Sequence, residues 1–101
     1  MAIVEVSIVP IGIESTSLSS YVAGAIAELK LSSLQYELTA MGTIISGDLD
    51  AIMKVVRRMH ETCFSAGANR VLTQIRIDDR RDRTSSPEKK VASVMEKLKG
   101  N

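Results

Sequence analysis

Two segments near the ends of the chain alternate polar and apolar residues at the period of a β-strand. In the first, Glu5 and Ser7 interleave with Val4, Val6 and Ile8; in the second, Gln74, Arg76 and Asp78 interleave with Val71, Ile75 and Ile77. Successive side chains of a strand point to opposite faces, so each segment has one apolar face and one that carries charge and hydrogen-bonding groups. If the two strands pair, Glu5 and Arg76 share a surface that no helix covers. Such a surface is solvated, packed against another subunit, or used to hold a ligand.

Between the two strands the period changes twice. The first strand, residues 2–10, ends at Pro10, which cannot donate to a ladder. A loop from Ile11 to Thr16 opens with Gly12. A helix is then expected from about Ser17 to Leu31, because Leu18, Val22, Ala25, Ile26 and Leu29 recur at spacings of three and four. Ser15, Thr16 and Ser17 are its N-cap candidates. Gln35 to Thr39, a turn over 40–42, and Thr43 to Gly47 read as a hairpin, with Gly42 available for a positive φ. Asp48 or Asp50 caps a second helix whose apolar face is Leu49, Ile52, Met53, Val56, Met59 and Cys63, and Gly67 stops it. The last strand spans about Arg70 to Asp78. After a stretch of mixed charge, Ser86–Pro87–Glu88 has the chemistry of a helix start, and Val91, Val94, Met95 and Leu98 form one stripe on that third helix.

The order is β-α-β-β-α-β plus a terminal helix, an α+β chain of the ferredoxin-like kind forming a single domain over residues 1–101. Two right-handed crossovers place both main helices on one face of a four-stranded antiparallel sheet, with strands one and four adjacent in the middle. The other face is then bare, and Glu5, Ser7, Gln74 and Arg76 are expected at its centre.

Composition removes several function classes. Aromatic residues are only 3% of the chain, so the core is aliphatic with help from five Met. The net charge of +1 gives no general attraction to nucleic acid. Charge does divide along the chain: residues 1–69 hold four Lys/Arg against seven Asp/Glu, and residues 70–101 hold nine against five. That asymmetry suits contacts between subunits as well as an anionic partner. Arg80, Arg81 and Arg83 interleave with Asp78, Asp79 and Asp82, which reads as a mutually paired, solvated run rather than a nucleic-acid patch.

No stretch approaches the roughly 18 apolar residues of a membrane span. The opening MAIVEVSIVP lacks a basic region and is broken by Glu5, so it reads as a strand rather than a signal peptide. A single cysteine, Cys63, excludes an internal disulfide and fits a reducing compartment. A cytoplasmic protein without nucleic-acid or membrane partners is the expectation. His60 and Cys63, three residues apart, are too few ligands for a zinc site, and no metal is expected. The sequence holds no nucleophile–base pair, phosphate loop or carboxylate cluster, so neither an enzyme nor a cofactor is expected.

Four strings in order, "VEVSIVPIG", "STSLSSYVAGAI", "YELTAMGTIISGDLD" and "GANRVLTQIRIDDRRDR" before "EKKVASV", resemble the small thiamine-binding, YkoF-like family over about residues 3 to 95. The resemblance implies a ferredoxin-like subunit that forms dimers and commonly tetramers. It also implies binding of thiamine or its hydroxymethylpyrimidine portion without catalysis. One departure bears on the ligand. The family's hairpin usually reads methionine-glycine-threonine, two residues, then glutamate-glycine; here Met41, Gly42, Thr43 and Gly47 are kept, but Ser46 stands at the glutamate position. Serine accepts a hydrogen bond without bringing charge.

Glu5, Ser7, Tyr36, Glu37, Thr43, Ser46 and Arg76 are the residues expected around such a ligand. A carboxylate supplies an acceptor and counter-charge, hydroxyls supply adaptable partners, and Tyr36 supplies a ring. Ser17, Ser19 and Ser20, at the start of the first helix, form a candidate anion site. Two other readings stand beside this one. The open face serves only oligomerisation in a structural or interaction protein, or the chain is a regulator or enzyme acting on another small metabolite.

Overall fold

The structure, a computed structural model, describes residues 1–14, 18–82 and 86–100. Its elements follow the expected order: β1 (Ala2–Pro10), α1 (Ser19–Ser32), β2 (Gln35–Leu38), β3 (Thr43–Gly47), α2 (Leu49–Ser65), β4 (Val71–Asp79) and α3 (Pro87–Lys99). The four strands form one antiparallel sheet in the order β2-β3-β1-β4. As expected, β1 and β4 are adjacent, in a register that sets Glu5 opposite Arg76 and Ser7 opposite Gln74. Their shared place in the middle is corrected: β1 and β3 are central, and β4 is an edge. Each crossover skips one strand, so β3 fills the gap between β1 and β2, and β4 lands outside β1.

The core lies between one sheet face and the two main helices. Ala2, Val4 and Val6 of β1 and Ile45 of β3 meet Ala25 and Leu29 of α1 and Ile52, Val55, Val56 and Met59 of α2. Full burial of each larger aliphatic side chain contributes about 1.5–3 kcal/mol. The Asp48 carboxylate accepts from the Ala51 amide at 3.1 Å and caps α2. Gly67 follows that helix with φ +108, as a C′ residue should. The N-cap position of α1 is Leu18, without a side-chain cap; the expected cap candidates Ser15, Thr16 and Ser17 lie outside the described residues.

The third helix begins as its sequence predicts. Ser86 Oγ accepts from the Lys89 amide at 3.1 Å, and Pro87 takes the first turn. Its apolar stripe, however, is not buried against the rest of the described residues. Val91, Val94, Met95 and Leu98 are all exposed, between 52% and 69%. The first turn of α3 lies against the sheet face opposite α1 and α2, where Pro87 borders Ile44 and Ser46 on one side and Ile3 and Glu5 on the other. That face is therefore not wholly bare, and Ser46 on it is only 7% exposed.

Candidate functional site

The strands differ in length, and the difference makes a cleft. Pairing of β1 with β3 ends at Val6↔Thr43, whereas pairing of β1 with β4 continues to Pro10↔Val71. From Ser7 to Val9, the edge of β1 that faces away from β4 has no strand neighbour among the described residues. In that stretch Ile8 turns its N–H and C=O to the open edge and the space beyond it, since main-chain groups alternate sides and Ser7 and Val9 turn theirs toward Gln74 and Leu72 of β4. Leu18, Tyr21, Val22, Ala25 and Ile26 close this space on the helix side, and the hairpin from Leu38 to Thr43 forms the far wall.

The resulting cavity is about 190 Å³ and mainly apolar, and Ser7, Tyr21, Thr39 and Thr43 are the polar residues among its lining. An apolar cavity of about 150 Å³ suffices for one benzene ring. This cleft therefore has room for one six-membered ring with small substituents, and a two-ring ligand would extend out of it.

The turn of the hairpin wall is tied together by Thr39. Thr39 Oγ1 donates to the Gly42 carbonyl at 2.8 Å and accepts from the amides of Met41 and Gly42 at 3.3 and 3.2 Å. The Thr39 amide donates to the same carbonyl at 2.8 Å. Gly42 is not at positive φ, contrary to the expectation from its place in the turn. The turn has no need of that conformation, and the requirement for glycine is contact. A Cβ at position 42 would stand 2.8 Å from the carbonyl oxygen of Val6.

The seven residues expected around one ligand divide among three places. Ser7 and Thr43 line the cleft. Tyr36, Glu37 and Ser46 line a groove of about 410 Å³ beside Pro87 and Glu88. Glu5 and Arg76 line a third groove, of about 360 Å³, on the other side of Pro87. Glu5 Oε1 and Arg76 Nη1 are 3.6 Å apart, with the Arg76 side chain 85% exposed. Such a pair contributes at most about 1 kcal/mol.

Alternation along β3 puts Ser46 on the sheet face opposite Thr43, so the departure at this position lies away from the cleft. Ser19 and Ser20 are exposed in the first turn of α1; Ser17 lies outside the described residues. Tyr21, Thr39 and Met41 were not among the expected site residues. The signal for Tyr21 was its place three residues after Leu18 and four before Ala25, on the stripe itself.

Elsewhere, His60 Nδ1 lies 2.7 Å from Thr73 Oγ1, and its ring meets Phe64 edge-on at 5.3 Å. Cys63 is buried, and burial pushes its thiol above the ordinary value, partly offset by a hydrogen bond with Thr62. No group of three or more metal-ligating side chains comes together among the described residues. The charged run is paired as expected, Arg80 with Asp82 and Arg81 with Asp79; Arg83 lies outside the described residues. No helix among those described is long and apolar enough to cross a membrane.

A family model described as thiamine-binding protein matches residues 4–95. A UPF0045 protein of Methanothermobacter thermautotrophicus is 46% identical over 99 residues, covering 97% of this chain and all of that protein. The crystal structure of protein MJ1052 from Methanocaldococcus jannaschii matches with a TM-score of 0.86 at 38% identity, over 94% of this chain and 96% of the other. A Thermotoga maritima protein, TM0486, whose name assigns it provisionally to thiamine biosynthesis or salvage, shares the fold at a TM-score of 0.76 and 24% identity. That match covers 92% of this chain and 97% of the other. The chain belongs to the thiamine-binding protein family.

Proposed function

We propose that this member of the thiamine-binding protein family is a cytoplasmic, non-enzymatic homo-oligomer, a dimer or tetramer, that binds thiamine or its hydroxymethylpyrimidine portion. The reading places the pyrimidine in the cleft between α1 and the β2–β3 hairpin. One observation carries that placement: apart from Met59, every residue lining the cleft comes from three of the four family-like strings. Segments far apart in sequence supply one cavity of about 190 Å³, sized for a single ring.

The chemistry of the lining supports the same reading. An aminopyrimidine presents donors and acceptors side by side around a flat apolar ring. The unpaired edge of β1 offers both kinds of main-chain group, and Tyr21 and Thr43 add hydroxyls. The thiazolium of thiamine extends outward under this reading, so the cleft selects for the pyrimidine. The name of the Thermotoga protein, a relative in fold, agrees with a thiamine-related role. Exposed apolar residues on α3 and β4 support an oligomer, since a chain of this size gains by covering them.

Calorimetric titration with thiamine and with hydroxymethylpyrimidine tests the ligand. Binding of both with similar affinity is expected, and the absence of heat at millimolar ligand refutes the proposal. Sedimentation tests the oligomer separately: a particle of only 11 kDa refutes it.

A further inference from the structure

The register of β1 and β3 leaves one main-chain position unfilled. Its pairs run from Ala2↔Gly47 to Val6↔Thr43, and two residues further it would set Met41 opposite Ile8. The hairpin turns away before that point. The Met41 amide is held inside the turn by Thr39 Oγ1 at 3.3 Å, and Gly42 already lies against the Val6 carbonyl. Ile8 therefore presents an N–H and a C=O, side by side, to the space where a strand partner would stand. The residue is half-buried and lines the cleft together with Leu38, Thr39 and Met41. Main-chain groups removed from bulk water are nearly always paired, with protein, ordered water or a ligand.

We infer that the cleft recognises its ligand through the main chain of Ile8, and that the class it takes is a single aromatic ring with an amino group beside a ring nitrogen. The inference rests on the ligand reading above and adds which edge of the ligand is read. In an antiparallel pair that exchanges two bonds, the partner residue offers one N–H and one C=O together. An amino group beside a ring nitrogen offers the same pair in one plane: the amino N–H donates to the Ile8 carbonyl, and the ring nitrogen accepts from the Ile8 amide. A ring held this way continues the sheet at the place Met41 leaves vacant, beside Leu18, Tyr21 and Val22 of α1.

The lining favours this pair over a side-chain contact. None of its residues is charged, so no carboxylate is at hand for the amino group. The Thr39 hydroxyl is committed to the turn. Ser7 directs its side chain to the sheet face opposite that of Ile8. Tyr21 and Thr43 remain as supplementary partners. The Ile8 side chain packs against the core, so its replacement leaves the main-chain pair in place.

Hydrogen exchange of the full chain, read amide by amide by NMR, tests the contact. In the free protein the Ser7 and Val9 amides, turned toward β4, should exchange slowly and the Ile8 amide fast. Saturating hydroxymethylpyrimidine should slow the Ile8 amide by about tenfold or more. An Ile8 amide already protected in the free protein overturns the inference. Binding that leaves its exchange unchanged also overturns it, while the ligand reading stands. If calorimetry shows no binding, both fall.

The ligand and the chain supply two further arms. An analogue with hydrogen in place of the amino group should bind about tenfold more weakly or worse, since it leaves the Ile8 carbonyl unpaired. Ile8→Pro removes the N–H at an open edge, where proline is tolerated, and should bind hydroxymethylpyrimidine about tenfold more weakly than Ile8→Val. Equal affinity in either comparison contradicts the contact. Slow exchange at Ser7 and Val9 reports that Ile8→Pro keeps its strand; if the strand is lost, wild-type exchange and the analogue decide.

Discussion

Gly42 lies directly against the carbonyl oxygen of Val6, so close that a Cβ on Gly42 would stand 2.8 Å away. Ordinary van der Waals contact begins near 3.4 Å, and the obstructing atom is main chain rather than the tip of a flexible side chain. The contact fixes how near the hairpin comes to β1, and with it the width of the cleft. Gly42→Ala should therefore destabilise the fold by about 1–3 kcal/mol, the usual range for overpacking. The midpoint of chemical denaturation checks this, and an unchanged midpoint contradicts the contact. The same variant should bind ligand more weakly, because the far wall moves.

Thr39 holds the same turn from the other side. Its hydroxyl donates to the Gly42 carbonyl and accepts two amides, so Thr39→Val removes several bonds at once. A loss of about 0.5–1.5 kcal/mol is expected if the freed groups reach water. Thr39→Ser, which keeps the oxygen, should recover most of it in the same denaturation experiment.

Asp48 caps α2, the helix that gives the core its largest share of buried side chains. Asp48→Ala should cost about 1 kcal/mol, and Asp48→Asn much less, because asparagine accepts the same bond. Thermal melts of the two variants side by side check the order. Equal loss in both would assign the effect to charge at the helix start instead.

The buried thiol of Cys63 sets an alkaline limit. Burial holds it above its ordinary value of 9.0, so the folded chain keeps a proton that the unfolded chain releases. Stability is independent of this group below that value and falls as pH rises through it. Cys63→Ser should flatten that alkaline decline while lowering stability at neutral pH. Denaturation midpoints from pH 7 to pH 10 measure both.

The ion pair of Glu5 and Arg76 should matter little to stability. At 3.6 Å, with Arg76 85% exposed, its loss in Glu5→Gln is expected to cost less than about 1 kcal/mol. A larger loss would mean that the open face is covered in solution.

Much of this architecture is legible in the residues themselves. The order of elements predicted that β1 and β4 are neighbours, and alternation put Glu5 and Arg76 on one face, because a period of two leaves no choice of face; that the two stand directly opposite each other is seen only in the register. Local cap chemistry at Asp48 and Ser86 was equally readable, since each cap depends on residues within one turn. The cleft was not readable in that way. It exists because β1 outruns β3, a relation between strands that appears only once the register is known. The exposed stripe of α3 reads in sequence as a face for the core, and periodicity alone cannot say whether a partner element lies within reach. The expected ligand residues scattered for a related reason. Thr43 and Ser46 are three apart on one strand and so point to opposite faces.

The claim on which the account turns is that the ring of a thiamine-related ligand sits between α1 and the β2–β3 hairpin. A crystal structure of the protein soaked with hydroxymethylpyrimidine tests it most directly. The account predicts density for the ring beside Tyr21 and Thr43, with polar atoms of the ligand meeting the main chain of Ile8. Density instead on the opposite sheet face, against Glu37 and Ser46 or between Glu5 and Arg76, would contradict it.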